Sequence, residues 1–218
     1  MTSSVPGAAL PLDASERRAL CDLALELGPD APTLCEGWST ADLVAHLVVR
    51  ERKPRAMPGI LVGGRLGEIT ERAMEAVRAG GFEAAVARVR TGPPLGPGRV
   101  PGVRTLLNLN EYFVHHEDVR RANGRARRTD VAEVEDALWA IQRRSARFLL
   151  RRAKALGVEL ARPGGESFTA RKRTPWVRLT GAPGELALYL FGRSAVADVE
   201  ISGEPAAVEQ FRSVRLGF

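Results

Sequence analysis

Across 218 residues the sequence holds only 2 Cys and 3 His, its aromatic content is 6%, and lysine is confined to Lys53, Lys154 and Lys172. Each shortage excludes something. Cys21 and Cys35 make neither a disulfide framework nor a Cys-x-x-Cys metal or redox pair, and they fit a reducing, cytoplasmic setting. Apolar runs such as Leu47-Val48-Val49 fall far short of the ~18 residues a membrane helix needs. The stretch from Met1 to Leu12 also lacks the basic start and apolar run of a secretion signal, so a membrane or secreted protein is not expected. The fold must be held by burial, and 44% hydrophobic residues suffice for one good core and a small second one.

Charge is the feature present in excess. The formal net charge is +6, and residues 120 to 178 carry 16 basic against 6 acidic side chains. Such a surplus raises the question of nucleic acid. The strings Arg125 to Arg128 and Arg171-Lys172-Arg173 have no interleaved aromatics, however, and read as solvated loops rather than nucleic-acid sites.

Helical signals fill the first 155 residues. Asp13 with Glu16 reads as a capping box for a helix to about Leu27, and Ser39 with Asp42 opens a second to about Lys53. Shorter helices are expected over 66 to 79 and 82 to 90, and a third principal helix from Val103 to about Ala122, closed by Asn123-Gly124. A fourth runs from Asp130 to Gly157 on the stripe Val131, Val134, Leu138, Ile141, Ser145, Phe148, Leu149 and Leu156. Beyond it, strand alternation at 176 to 180 and 196 to 202 and helices at 183 to 191 and after Pro205 spell β-α-β-α, with a join near 157 to 170. The expected fold is mainly α: a bundle of four principal helices over 1–157 and a small C-terminal α/β unit over 158–218.

The three histidines are His46, His115 and His116. On the third principal helix, at about 100° per residue, Glu111, His115, Asp118 and Ala122 share a face flanked by Leu107, Val114 and Val119. A carboxylate and an imidazole in an apolar stripe cost several kcal/mol unless paired or bound to an ion. Glu111 and His115 lie one turn apart and point at one spot, and His46 interrupts an apolar run on the second helix in the same way. A lone histidine on an apolar face is more often a hydrogen-bonded core residue. Two of them with a carboxylate, in a chain so poor in His, point to a divalent metal with an open position, and the N, N, O set suits zinc. Asp118 orients a liganding imidazole from behind, acts as a further ligand, or pairs with an arginine such as Arg50. His116 reads as a surface residue, Cys35 as a small buried hydrophobe rather than a functional thiol near the start of the His46 helix, and Trp38 as core or pocket wall.

Thr33-Leu34-Cys35-Glu36-Gly37-Trp38-Ser39-Thr40-Ala41-Asp42-Leu43-Val44-Ala45-His46-Leu47 and the stretch Glu111 to Gly124 resemble the two signature segments of the DinB-like superfamily. The nearer likeness is to its actinobacterial branch of mycothiol-dependent maleylpyruvate isomerases. Gly184 to Arg193, followed by Val199-Glu200-Ile201-Ser202-Gly203, is similar to that branch's C-terminal part. The resemblance implies a DinB-like four-helix bundle whose His46, Glu111 and His115 hold a divalent metal, usually zinc, with an open position for the thiolate of mycothiol. It further implies that Arg193 reaches over the cleft to a substrate carboxylate. The expected partners are a small-molecule thiol and an electrophilic substrate, the protein being a monomer or homodimer, with isomerase or S-transferase chemistry. The alternative is a non-enzymatic metal-binding module, structural or regulatory, that docks an acidic partner.

Overall fold

The computed structural model describes residues 10–52, 64–94 and 103–217. Parts of the Gly- and Pro-rich connections on either side of the helices expected over 66 to 79 and 82 to 90 lie outside the described residues. Eight α-helices and four strands follow in order. These are α1 (Leu12–Leu27), α2 (Thr40–Arg52), α3 (Gly64–Arg78), α4 (Phe82–Thr91), α5 (Val103–Ala122) and α6 (Ala132–Leu149); then β1 (Gly157–Ala161), β2 (Ser167–Arg171), β3 (Trp176–Thr180), α7 (Pro183–Leu190), β4 (Glu200–Gly203) and α8 (Pro205–Arg212). The chain is mainly helical with a small mixed sheet. No described helix is long and apolar enough to cross a membrane.

Two helix starts show how local signals fare. At α2 the capping box forms: Ser39 N–H donates to Asp42 Oδ2 at 2.9 Å, and the Asp42 N–H reaches back to Ser39 Oγ at 3.4 Å. At α1 it does not. Pro11 takes the cap position, and Asp13 lies fully buried inside the first turn. Glu16 turns away to bind Arg128 and His116. A buried charge network has overridden a local cap.

Leu20, Leu23 and Ala24 of α1, Leu43, Val44, Leu47 and Val48 of α2, Met74 and Val77 of α3, Val86 and Val89 of α4, and Tyr112 and Val119 of α5 form one core. Burying each larger aliphatic stabilises by about 1.5–3 kcal/mol, so the apolar run of α2 fixes that helix from several sides. The core leaves His46 no choice but to sit inside.

The predicted fourth helix requires correction at its end. It stops at Leu149, continues as a 3-10 turn over Leu150–Arg152, and β1 begins at Gly157. A Cβ at Gly157 would lie 2.2 Å from Arg173 O, so the strand enters against the β2–β3 connection where only glycine fits. Phe148, placed in the predicted stripe, is 60% exposed under Arg151, whereas Trp139 and Gln142 are buried. The reason is that α6 has two partners. Val134, Leu138 and Ile141 pack on Leu109 and Phe113 of α5 and Ala187 and Leu188 of α7. Trp139, Ala146 and Leu149 pack under the sheet with Val158, Leu160, Val177 and Leu179.

The sheet runs β2-β1-β3-β4, with β1 parallel to β3 and the outer pairs antiparallel. The β1–β2 hairpin occupies the predicted join at 157 to 170, so the observed order is β-β-β-α-β-α. Gly184 lets α7 reach α5: a Cβ there would lie 2.7 Å from Phe113 Cζ. That approach brings the segment after α7, with Arg193, to the His115 face of α5.

Candidate metal centre

α2 contributes His46 and α5 contributes Glu111, His115 and Asp118. One ligand atom from each of His46, Glu111 and His115 lies within 4.8 Å of the others. The two imidazoles meet edge to face with ring centroids 5.1 Å apart, and Trp38 closes the other side of His46 at 5.2 Å. His46 and His115 are buried and Glu111 half-buried.

The two rings differ in electrostatics. Burial, followed by the positive charges of His115, Arg50 and Arg193, holds the His46 pKa well below its ordinary value, so the ring is neutral with a free lone pair. Its Nδ1 is buried with no hydrogen-bond partner among the described residues. On His115, burial opposes protonation, but the hydrogen bond to Asp118, the contact with Cys35 and the Asp118 charge outweigh it and lift the pKa to about 10. Burial raises the Asp118 carboxyl, yet the hydrogen bonds from His115 and Arg193 bring it down to about 2. Asp118 thus accepts from His115 Nδ1 at 2.9 Å and leaves Nε2 facing Glu111, whose Oε2 is 3.7 Å away. With Nε2 deprotonated, as a metal ligand must be, the Asp118 carboxylate would hold the remaining proton on Nδ1 and so fix the tautomer.

These residues fit an ion on two counts. The donor set of two imidazole nitrogens and one carboxylate suits a divalent transition metal with three protein ligands. The orphaned His46 nitrogen is a buried polar atom that a ligand would satisfy. A second group, Cys35, His115 and Asp118, also has its ligand atoms within 4.8 Å. There the cation position is taken by Arg193, whose Nη2 lies 2.6 Å from Asp118 Oδ2 and 3.1 Å from Cys35 Sγ. Every ligand atom of that group has a partner, whereas His46 Nδ1 in the first group has none among the described residues.

Several sequence readings change here. Cys35 is half-buried within the centre, with Sγ 3.3 Å from Asp118 Oδ2, and not a plain core hydrophobe. Asp118 pairs with Arg193 and not with Arg50. His116 is no surface residue: it is 5% exposed, with Nδ1 3.2 Å from Glu16 Oε2. Arg128, read as part of a solvated string, is half-buried between Glu16 and Glu117. The Arg171 to Arg173 string stays largely exposed. Arg193 reaches the centre from the segment after α7, but its Nε donates to Asp118 Oδ1 at 2.8 Å and its Nη1 to Phe191 O at 2.6 Å. Only one Nη1 hydrogen is left without a partner there. Sequence reasoning preferred a buried hydrophobe at Cys35 over a thiol role and missed Asn108, which lies one turn before Glu111 on the same face of α5, a spacing that marks it.

Arg50 holds the centre together from α2. Its Nε is 3.3 Å from Glu111 Oε2 and its Nη1 donates to Asn108 Oδ1 at 3.1 Å. A guanidinium on a ligand carboxylate competes with an ion for it. Arg50→Met is therefore expected to tighten divalent-ion binding by about tenfold, read by competition with a chromophoric chelator. Unchanged or weaker binding would show that Arg50 does not compete.

No family model matches the sequence, and no curated protein matches it. Solved structures do. The chain is similar to the crystal structure of a mycothiol-dependent maleylpyruvate isomerase, with 21% identity and a TM-score of 0.53 over 89% of this chain and 95% of that one. A histidine-to-alanine mutant of that isomerase matches over the same shares at 21% identity, with a TM-score of 0.55. At this identity the likeness is one of fold.

Proposed function

We propose that this chain binds one divalent transition metal, zinc by its donor set, through His46, Glu111 and His115. With a low-molecular-weight thiol, mycothiol in the first place, the centre isomerises or transfers the thiol to a small electrophile. The observation that carries the reading is the convergence of the three ligand groups, the two imidazoles buried and Glu111 half-buried, with Asp118 on the far nitrogen of His115. The fold shared with a mycothiol-dependent isomerase supports the choice of thiol.

An ion held by His46, Glu111 and His115 would supply Lewis acidity, which would lower the pKa of a thiol toward neutral. The chain's own residues do the rest. Asp118 keeps the His115 ring oriented, and the apolar surroundings of α2 exclude water from His46. The carboxylates of Glu111 and Asp118 are matched by the guanidiniums of Arg50 and Arg193, so the charge of a divalent ion is left uncompensated and attracts anions. The remaining Nη1 hydrogen of Arg193 serves a substrate carboxylate, and Trp38 walls the cleft.

Titrating mycothiol into cobalt-substituted protein tests the proposal. A new sulfur-to-cobalt absorption is expected at about millimolar thiol or below. An unchanged spectrum at that concentration removes the thiol from the reading while leaving the ion in place.

A further inference from the structure

Arg193 has no secondary structure of its own to hold it. It lies just past α7, after Gly192 at φ +91°, in a connection that runs to β4. Yet its guanidinium lies on Asp118 with two hydrogen bonds, at 2.8 and 2.6 Å. Something outside the centre must fix the backbone of this segment.

The grip comes from α5, one turn past Asp118. Arg121 donates from Nη1 to the Val196 carbonyl at 2.8 Å and to Glu185 Oε2 at 3.1 Å, and from Nη2 to Glu185 Oε1 at 2.6 Å. Its Nε donates to Glu117 Oε2 at 2.8 Å, which sets the plane of the fork. Glu185, in the first turn of α7 and 2% exposed, in turn accepts from the Asp198 N–H at 2.9 Å. Arg127 adds a second cation 3.3 Å from Glu185 Oε1. Val196 and Ala197 N–H groups both return to Arg193 O, at 3.1 Å each, which closes a compact turn. The turn is thus tied on its far side at Val196 and Asp198, while Arg193 reaches from its near side to Asp118. Both anchors stand on one face of α5, because residues three apart on a helix are neighbours.

We infer that Arg121 and Glu185 are positioning residues whose ion pair aims Arg193 at Asp118 and, through Asp118, orients the His115 ring. A bidentate arginine fork suits this role, since it fixes direction as well as distance. The inference concerns geometry, and its bearing on chemistry rests on the metal-centre reading above.

Proton NMR of nitrogen-15-labelled full-length protein tests it, because an arginine Nε–H bonded to a buried carboxylate exchanges slowly with water. Arg193→Lys assigns the signal by removing it. In Arg121→Gln and in Glu185→Gln the Arg193 Nε–H is expected to exchange about tenfold faster or more, reflecting local opening of the segment. Should Arg121→Gln fail to fold, Arg121→Lys keeps the charge without the fork and is expected to give an intermediate acceleration. An unchanged exchange rate in folded variants overturns the inference and assigns the pair a merely structural role. Metal content of the same samples is read separately. Loss of metal binding in the wild type would sink the functional proposal without touching the exchange result.

Discussion

Replacing His115 with alanine is expected to abolish stoichiometric metal binding: purified protein should keep less than about a tenth of the wild-type ion, because two remaining ligands hold a divalent metal far more weakly than three. His46→Ala should behave alike. The neighbouring ring provides the control. His116 faces Glu16 across α1 and not the centre, so His116→Ala should bind metal as the wild type does, although it loses a buried hydrogen bond. Elemental analysis after dialysis reads all three. Thermal unfolding adds an independent measure, since a ligand at about 100 times its dissociation constant stabilises by about 2.7 kcal/mol. Chelator should lower the melting temperature of wild type and His116→Ala, and leave His115→Ala unmoved. Equal metal in His115→Ala and wild type would remove the site.

The largest loss of stability is expected at Arg128, remote from the ion. Its side chain bonds Glu16 Oε1 at 2.7 Å, Glu16 Oε2 at 3.1 Å and Glu117 Oε1 at 2.8 Å, and it lies 5.0 Å from the Phe113 ring. Both acids are almost completely buried, with side chains 6% and 1% exposed. Arg128→Met keeps much of the apolar stem and leaves two buried carboxylates short of a cation, which costs about 3–5 kcal/mol. Urea unfolding at neutral pH measures it. Acid should shrink the difference. Burial opposes ionisation of Glu16, but the hydrogen bonds from His116 and Arg128 outweigh it and lower its pKa below 4.5. The pairing therefore contributes stability above pH 4.5 and loses it as the pH falls through the lowered folded-state value. A wild-type advantage that is absent at pH 7, or that grows on acidification, would contradict the buried-pair account.

Much of the helical layout could be read directly because it depends on local periodicity and punctuation. Ser39 with Asp42, Asn123-Gly124, Pro183 and Pro205 mark ends that the structure places within a residue or two. The clustering of His46, Glu111 and His115 was legible for a related reason: they are polar groups in stripes that burial requires to be apolar, and the structure brings their ligand atoms within 4.8 Å of one another. What stayed hidden depends on contacts between distant segments. Nothing local tells that Glu16 leaves its cap for Arg128, 112 positions away, or that His116 follows it inside. The direction of Arg193 depends on Arg121 and Glu185, and Cys35 enters the centre only because that guanidinium and Asp118 meet there. The β1–β2 hairpin escaped because Gly157 to Arg171 carries Gly164-Gly165 and short, partly exposed strands that read as a linker.

The central claim is that this chain carries one high-affinity divalent-ion site built from His46, Glu111 and His115. Equilibrium dialysis of wild-type protein against zinc, followed by elemental analysis, tests it most directly. The expected result is one ion per chain, retained through exhaustive dialysis against metal-free buffer and lost on incubation with a strong chelator. A chain that emerges with no bound zinc, from a dialysis in which the protein stays folded, contradicts it.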